Sequence, residues 1–185
     1  METTTYDHID YYLKNRINDP NAPEVRNLIA DFALLWNQYE RTLYKKEHHI
    51  YEIKKTIKKF KLDDIEEIDE LYDRFTKYVI SRDYEFTVDD IHEMFNINFI
   101  SKQWDEKKQK YIFKGDIHKR DLENAINIKD KYNKIYLLLL ISAKVRNNMF
   151  HGTKGAWELP KQKDLFRICN ETLMCVLKKT HMEDI

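Results

Sequence analysis

Apolar residues recur along this chain at three- and four-residue steps, the period of a helix with one buried face. Val25, Leu28, Ile29, Phe32, Trp36, Tyr39 and Leu43 form one such stripe. It starts behind Asn21-Ala22-Pro23, where Pro is tolerated in a first turn. A second stripe runs through Ile65, Ile68, Leu71, Tyr72, Phe75 and Val79, with Asp63 and Asp64 expected at its positive end. Thr87-Val88-Asp89-Asp90 reads as a capping box with Asp in place of Glu, opening a short helix through Ile91, Met94 and Phe95. The periodicity lapses from Ser101 to Gly115, a stretch that reads as a loop or a small hairpin. It resumes near Ile117 and culminates in Ile135-Tyr136-Leu137-Leu138-Leu139-Leu140-Ile141-Ser142-Ala143, with Gly152 as the expected stop. Gly152 to Leu159 reads as a loop, and Pro160 suits the first turn of a last helix. Leu165, Cys169, Leu173, Val176 and Leu177 are its expected inward face. The pattern predicts an all-α fold: a single-domain antiparallel helical bundle over residues 1–185, with a short irregular insertion around 101–116.

Composition narrows this picture. A chain of 185 residues suits one domain with a substantial core. Three Gly and three Pro favour long helices over a turn-rich β fold. Lys+Arg and Asp+Glu both number 32, which excludes a simple polycationic nucleic-acid binder but not a local basic surface. The charge is lumpy, basic from Lys54 to Lys61 and acidic from Asp63 to Asp73. The basic run reads as the solvated face of a helix with Ile57 and Phe60 inward. Met1 to Asp7 shows neither the basic nor the apolar region of a secretion signal. The run Ile135–Ala143 is far short of the roughly 18 apolar residues of a membrane span. Cys169 and Cys175 sit six apart on one expected helix and point to different sides. Two free thiols suit a reducing compartment, so the expectation is a cytoplasmic protein with no membrane partner.

The chemistry gathers where the apolar run ends, at Val145-Arg146-Asn147-Asn148-Met149-Phe150-His151-Gly152. A helix apolar on all sides belongs at the centre of a bundle. An Arg, two Asn and a His at its end are costly there unless they form a satisfied network or a site. Arg146 and His151 differ by roughly 140° on an ideal helix, but a helix ending at Gly152 lets His151 swing back in the last turn. The negative end of the helix favours imidazolium and moves the His towards neutrality, where it serves as general acid or base. Arg146 is a planar anion clamp suited to phosphate, and Asn147 can orient either group. Cleaving RNA through its own 2′-hydroxyl needs proton transfer and a stabilised phosphorane, and no metal. One His per chain is marginal for both proton transfers; two chains face to face supply two.

At these residues the sequence resembles the HEPN family (higher eukaryotes and prokaryotes nucleotide-binding), whose signature is an Arg, four to six residues and a His, commonly with a polar residue after the Arg. Arg146-Asn147-Asn148-Met149-Phe150-His151 fits that signature. The resemblance implies an all-α bundle, a homodimer with motifs meeting across the interface, and often metal-independent endoribonuclease activity. It also implies a setting in toxin–antitoxin, abortive-infection or other anti-phage systems, with an antitoxin or a sensor protein as a further partner. Some members carry a Tyr two residues past the His that a partner nucleotidyltransferase modifies with AMP; Thr153 stands there in this chain, so the resemblance does not extend to that route of silencing. A second match, Arg41 to His48, lies amid Lys45, Lys46 and Glu47 and closes no buried helix. It reads as coincidence.

Other candidates are weaker. Glu40, in Trp36-Asn37-Gln38-Tyr39-Glu40-Arg41, either reaches across the bundle to hold Arg146 or His151 or stands solvated beside an apolar stripe. Lys102, Trp104, Lys107, Lys108, Lys110, Tyr111 and Lys114, with Phe113, Lys119 and Arg120 nearby, have the composition of a single-strand RNA binder or of a loop anchored by its aromatics. His48, His49 and Glu52 lack the converging set a metal needs. The chain holds no Walker-type loop or dinucleotide fingerprint, so no cofactor is expected. The leading expectation is a homodimeric, metal-independent endoribonuclease acting on RNA through Arg146, His151 and Asn147. The rival is a non-catalytic helical module that binds RNA or a partner such as a nucleotidyltransferase antitoxin.

Overall fold

The computed structural model describes residues 22–43, 52–106, 108–150 and 160–182. In chain order these form α1 (Ala22–Leu43), α2 (Ile53–Lys59), α3 (Ile68–Ile80) and α4 (Val88–Phe95). A hairpin of β1 (Ser101–Asp105) and β2 (Lys110–Lys114) follows, then α5 (Lys119–Asn127), α6 (Lys131–Phe150) and α7 (Lys163–Met182). The chain is mostly helical, as the apolar spacing predicts.

Helix α6 lies at the centre. Every residue from Ile135 to Val145 is buried, and α2, α3, α5 and α7 all pack against it. Each buried leucine of Leu137–Leu140 contributes about 1.5–3 kcal/mol, so this stretch holds the helix inside although its last turns carry polar side chains. α7 buries Leu165, Cys169, Leu173, Val176 and Leu177, the face its spacing predicts. In α2, Ile57 is buried and Phe60 half-buried at the helix end, while Lys55, Lys58 and Lys59 are exposed.

Side-chain pairs dock α7 against two neighbours. α3 and α7 run antiparallel: Arg74 pairs with Glu171, and Asp64, just before α3, lies 4.0 Å from Lys179 near the end of α7. α1 packs against α7. Glu24 in the first turn of α1 pairs with Lys163 and Arg167 at the start of α7, and Asn170 Nδ2 donates to the Leu28 carbonyl at 3.0 Å. Most of the chain separates these two helices, so nothing local fixes how they dock. Phe32 and Phe166 seal the pair edge to face, 5.6 Å between ring centres.

Two helix boundaries differ from expectation. Asp63 and Asp64 lie in a separate 3₁₀ turn, Leu62–Asp64, and Asp69 and Glu70 occupy the first turn of α3. The segment from Ile117 onward is two helices, broken at Ile128 to Asp130. Asp130 starts the second one, its carboxylate accepting from Asn133 N at 2.8 Å while its carbonyl accepts from Lys134 N at 3.0 Å. Thr87 caps α4, accepting from Asp90 N at 3.2 Å while its hydroxyl bonds the Asp90 carboxylate.

The insertion around 101–116 is regular rather than irregular. β1 and β2 pair antiparallel over five positions, from Ser101↔Lys114 to Asp105↔Lys110. The Asp105 carboxylate accepts from Lys108 N at 3.1 Å, and Gln109 at φ 47° completes the turn. Trp104 on β1 and Tyr111, Ile112 and Phe113 on β2 then favour pairing over helix. At the hairpin base Gly115 adopts φ 130°, and a Cβ there would meet the Phe99 carbonyl oxygen at 2.5 Å, so only Gly fits.

Candidate functional site

The last turns of α6 carry Lys144, Arg146, Asn147 and Asn148, and helix geometry splits them between two sides. Arg146 follows Lys144 by two residues, about 200° around the axis, whereas Asn148 follows it by four, about 40°. Lys144 and Asn148 therefore share a side and Arg146 faces away.

The Lys144 side is buried and closed. Lys144 is 5% exposed, and its ammonium meets Asp116 Oδ2 at 2.7 Å. The same oxygen accepts from Asn98 N at 2.8 Å, tying the hairpin base to α6. Asn148 Nδ2 donates to the Phe95 carbonyl at 3.4 Å. That carbonyl ends α4, where Asn96 adopts the left-handed conformation at φ 50°, so Asn148 serves one of the acceptors a helix end leaves over. Spacing alone missed this pair of contacts. The available signal was Lys144 itself: a lysine in a helix apolar all round has no polar face along which to reach water, so it needs a partner.

The Arg146 side is half open. Arg146 Nη1 donates to Asn147 Oδ1 at 3.1 Å, and Nη2 lies 3.8 Å from Glu40 Oε1. The two side chains are 33% and 29% exposed. α1 positions Glu40 on the edge of its buried stripe, beside fully buried Tyr39 and the Trp36 ring 5.2 Å from it. At 3.8 Å the contact is an ion pair rather than a tight hydrogen bond. A planar cation oriented at a partly open position is suited to an anionic oxygen.

His151 lies outside the described residues, as do Gly152 to Leu159 and the pair His48 and His49. The described residues bring Arg146, Asn147 and Glu40 together. They do not bring the hairpin residues to that group. Lys102 and Trp104 are exposed on β1, Trp104 by 54%. Lys108 sits in the turn with its ammonium 3.9 Å from Asp105 Oδ2. Lys110, Tyr111 and Lys114 occupy β2, while Lys107 lies outside the described residues. Because the hairpin base is fastened to Lys144, it stands on the far side of α6 from Arg146. Among the described residues no group of three or more His, Cys, Asp and Glu is placed to hold a metal.

The two thiols are free. Burial pushes the Cys169 thiol up to about 12, against a smaller opposing pull from its hydrogen bond with Ser142. Such a thiol is not a nucleophile at neutral pH. No described helix is long and apolar enough to cross a membrane. In comparisons with known proteins, no protein-family model, no curated protein and no solved structure matches this chain.

Proposed function

We propose that this chain is a metal-independent endoribonuclease of the HEPN type, acting as a homodimer in the cytoplasm, in a toxin–antitoxin or anti-phage setting. The observation that carries the reading is the half-open guanidinium of Arg146, oriented by Asn147 and paired with Glu40 from α1, five residues ahead of His151. In this reading Arg146 binds the scissile phosphate and stabilises the charge that builds on its oxygens. A neutral His151 takes the proton from the 2′-hydroxyl, whose oxygen bonds to phosphorus. The 5′-oxygen leaves with a proton from His151 of the partner subunit, giving a 2′,3′-cyclic phosphate and a free 5′-hydroxyl. Asn147 positions the reacting groups, and Glu40 is a positioning residue that holds Arg146.

The test is cleavage of a labelled RNA set, tRNA included, in EDTA by wild type, Arg146→Ala and His151→Ala, with light scattering on each. Cleavage by dimeric wild type alone supports the reading. Equal cleavage by a soluble, dimeric variant refutes it.

One observation favours the rival, a non-catalytic module. Lys144, Asn148 and Arg146 all have partners within the chain, as a structural network would. That reading expects Arg146→Ala to weaken the fold or dimer by roughly 3 kcal/mol, the scale for breaking a buried charged pair. A variant that keeps parental stability and loses only cleavage eliminates it.

A further inference from the structure

The hairpin carries an aromatic and basic face that Arg146 does not use. Side chains alternate along a strand, so positions 102 and 104 share one face of β1. The register sets Phe113 opposite Lys102 and Tyr111 opposite Trp104. Positions 102 and 104 therefore stand together on one face of the hairpin, both side chains exposed. Trp104 is 54% exposed, among the most exposed large apolar side chains described.

The charge around it points to one kind of occupant. Residues 101–120 hold seven basic side chains against three acidic ones, in a chain whose formal charge sums to zero. Asp116 is engaged by buried Lys144, and Asp105 by the turn at Lys108. The local field is therefore positive around the exposed Trp104 indole. Phosphates meet lysines and bases stack on rings in such an arrangement, which suits single strands because their bases are unpaired. A duplex offers no base faces to stack upon.

We infer that the hairpin face built on Lys102 and Trp104 is a single-stranded RNA anchor, separate from the Arg146 site. The choice of RNA over DNA rests on the nuclease reading; the single-strand chemistry does not. The position adds a consequence for the reaction. The hairpin base is pinned to Lys144, on the side of α6 opposite Arg146, so within one chain the anchor grips a part of the substrate remote from the scissile phosphate. It strengthens binding of long strands and leaves the chemical step alone.

The probe is a fluorescein-labelled 12-nucleotide RNA with 2′-O-methyl sugars, which cannot be cut through the 2′-oxygen. Anisotropy titrations compare wild type, Trp104→Ala, Trp104→Phe and Lys102→Ala, with circular dichroism and thermal melts confirming each fold. The expected result is about a tenfold loss of affinity for Trp104→Ala, the scale of one base–aromatic stack. Trp104→Phe restores most of it, and Lys102→Ala costs less and flattens the salt dependence. The same sequence as a duplex binds wild type and Trp104→Ala alike, and as DNA it binds wild type more weakly. On cleavable RNA, Trp104→Ala raises KM for long strands and leaves kcat unchanged. Unchanged affinity in a folded Trp104→Ala variant, equal loss for the duplex, or no single-strand binding by wild type overturns the inference; the last two leave the face to hairpin stabilisation or to a protein partner. Wild type that binds the probe by this pattern and cuts no RNA sinks the nuclease reading while the anchor stands.

Discussion

The two sides of the polar end of α6 differ in kind although they are two residues apart. On one side Lys144 is sealed in with Asp116, which also holds the hairpin base through Asn98 N, and Asn148 completes the end of α4. On the other, Arg146 meets Glu40 at 3.8 Å with both side chains about one-third exposed. A lysine removed from water is held by necessity, because without its carboxylate it is a buried charge. A half-open pair at a looser distance is worth little to the fold and remains available to something else. The contrast separates a structural knot from a candidate site within one helical turn.

The largest effect is expected on the sealed side. Asp116→Ala strands the Lys144 ammonium and loosens the hairpin base, and is expected to destabilise the protein by about 3–5 kcal/mol in urea unfolding. Replacing both partners, Lys144→Met with Asp116→Leu, removes the charges together and is expected to recover much of that loss. If Asp116→Ala costs under about 1 kcal/mol, Lys144 reaches water and the contrast collapses. Next comes Asn148→Ala, which leaves the Phe95 carbonyl without its side-chain donor. A loss of about 1 kcal/mol is expected, again with RNA cleavage retained if the nuclease reading holds.

How much of this was legible in the sequence depends on how local each signal is. The stripe from Val25 to Leu43 and the Thr87 cap are written in neighbouring residues, and both elements appear where the spacing puts them. The split between Lys144 and Arg146 was available from two residues of helical rotation. Their partners were not. Asp116 lies across a hairpin whose strands pair by register, and Phe95 ends another helix, so both contacts depend on how distant elements dock. The docking of α1 on α7 was hidden for the same reason. Glu40 sat on the edge of an apolar stripe and read more readily as a solvated residue; only the approach of α6 brings Arg146 beside it. The break at Asp130 was readable, since an Asp ahead of Lys131-Tyr132-Asn133 is a good helix start, but the apolar periodicity on both sides masked it.

A smaller effect on stability, though not on activity, is expected on the open side. Arg146→Ala and Glu40→Gln are each expected to change unfolding free energy by under about 1 kcal/mol. In the nuclease reading, Arg146→Ala abolishes RNA cleavage and Glu40→Gln weakens it, while circular dichroism and the size of the protein in solution stay parental. Losses of about 3 kcal/mol or more would place Arg146 with Lys144, as a second structural knot.

The smallest effect comes from acid, and it asks whether exposed pairs elsewhere behave like the Arg146 side. Hydrogen bonding to Lys134 holds the Asp69 carboxyl below its ordinary value, and Lys163, with help from Arg167, does the same for Glu24. Burial opposes both shifts without reversing them. A carboxyl whose folded value is depressed contributes stability that is fully present above its unfolded value and is lost as pH falls through the folded one. The thermal midpoint should therefore decline gently as pH drops below about 4, and Asp69→Asn combined with Glu24→Gln should flatten that part of the decline. Both carboxylates are solvent-exposed, so water screens the pairs and the slope they add is shallow. A steep acid transition that survives the double variant would assign acid sensitivity to other carboxylates, with the buried Lys144–Asp116 pair the first to replace. A shallow one that flattens would group these clips with Arg146–Glu40: contacts that orient helices without holding the fold together.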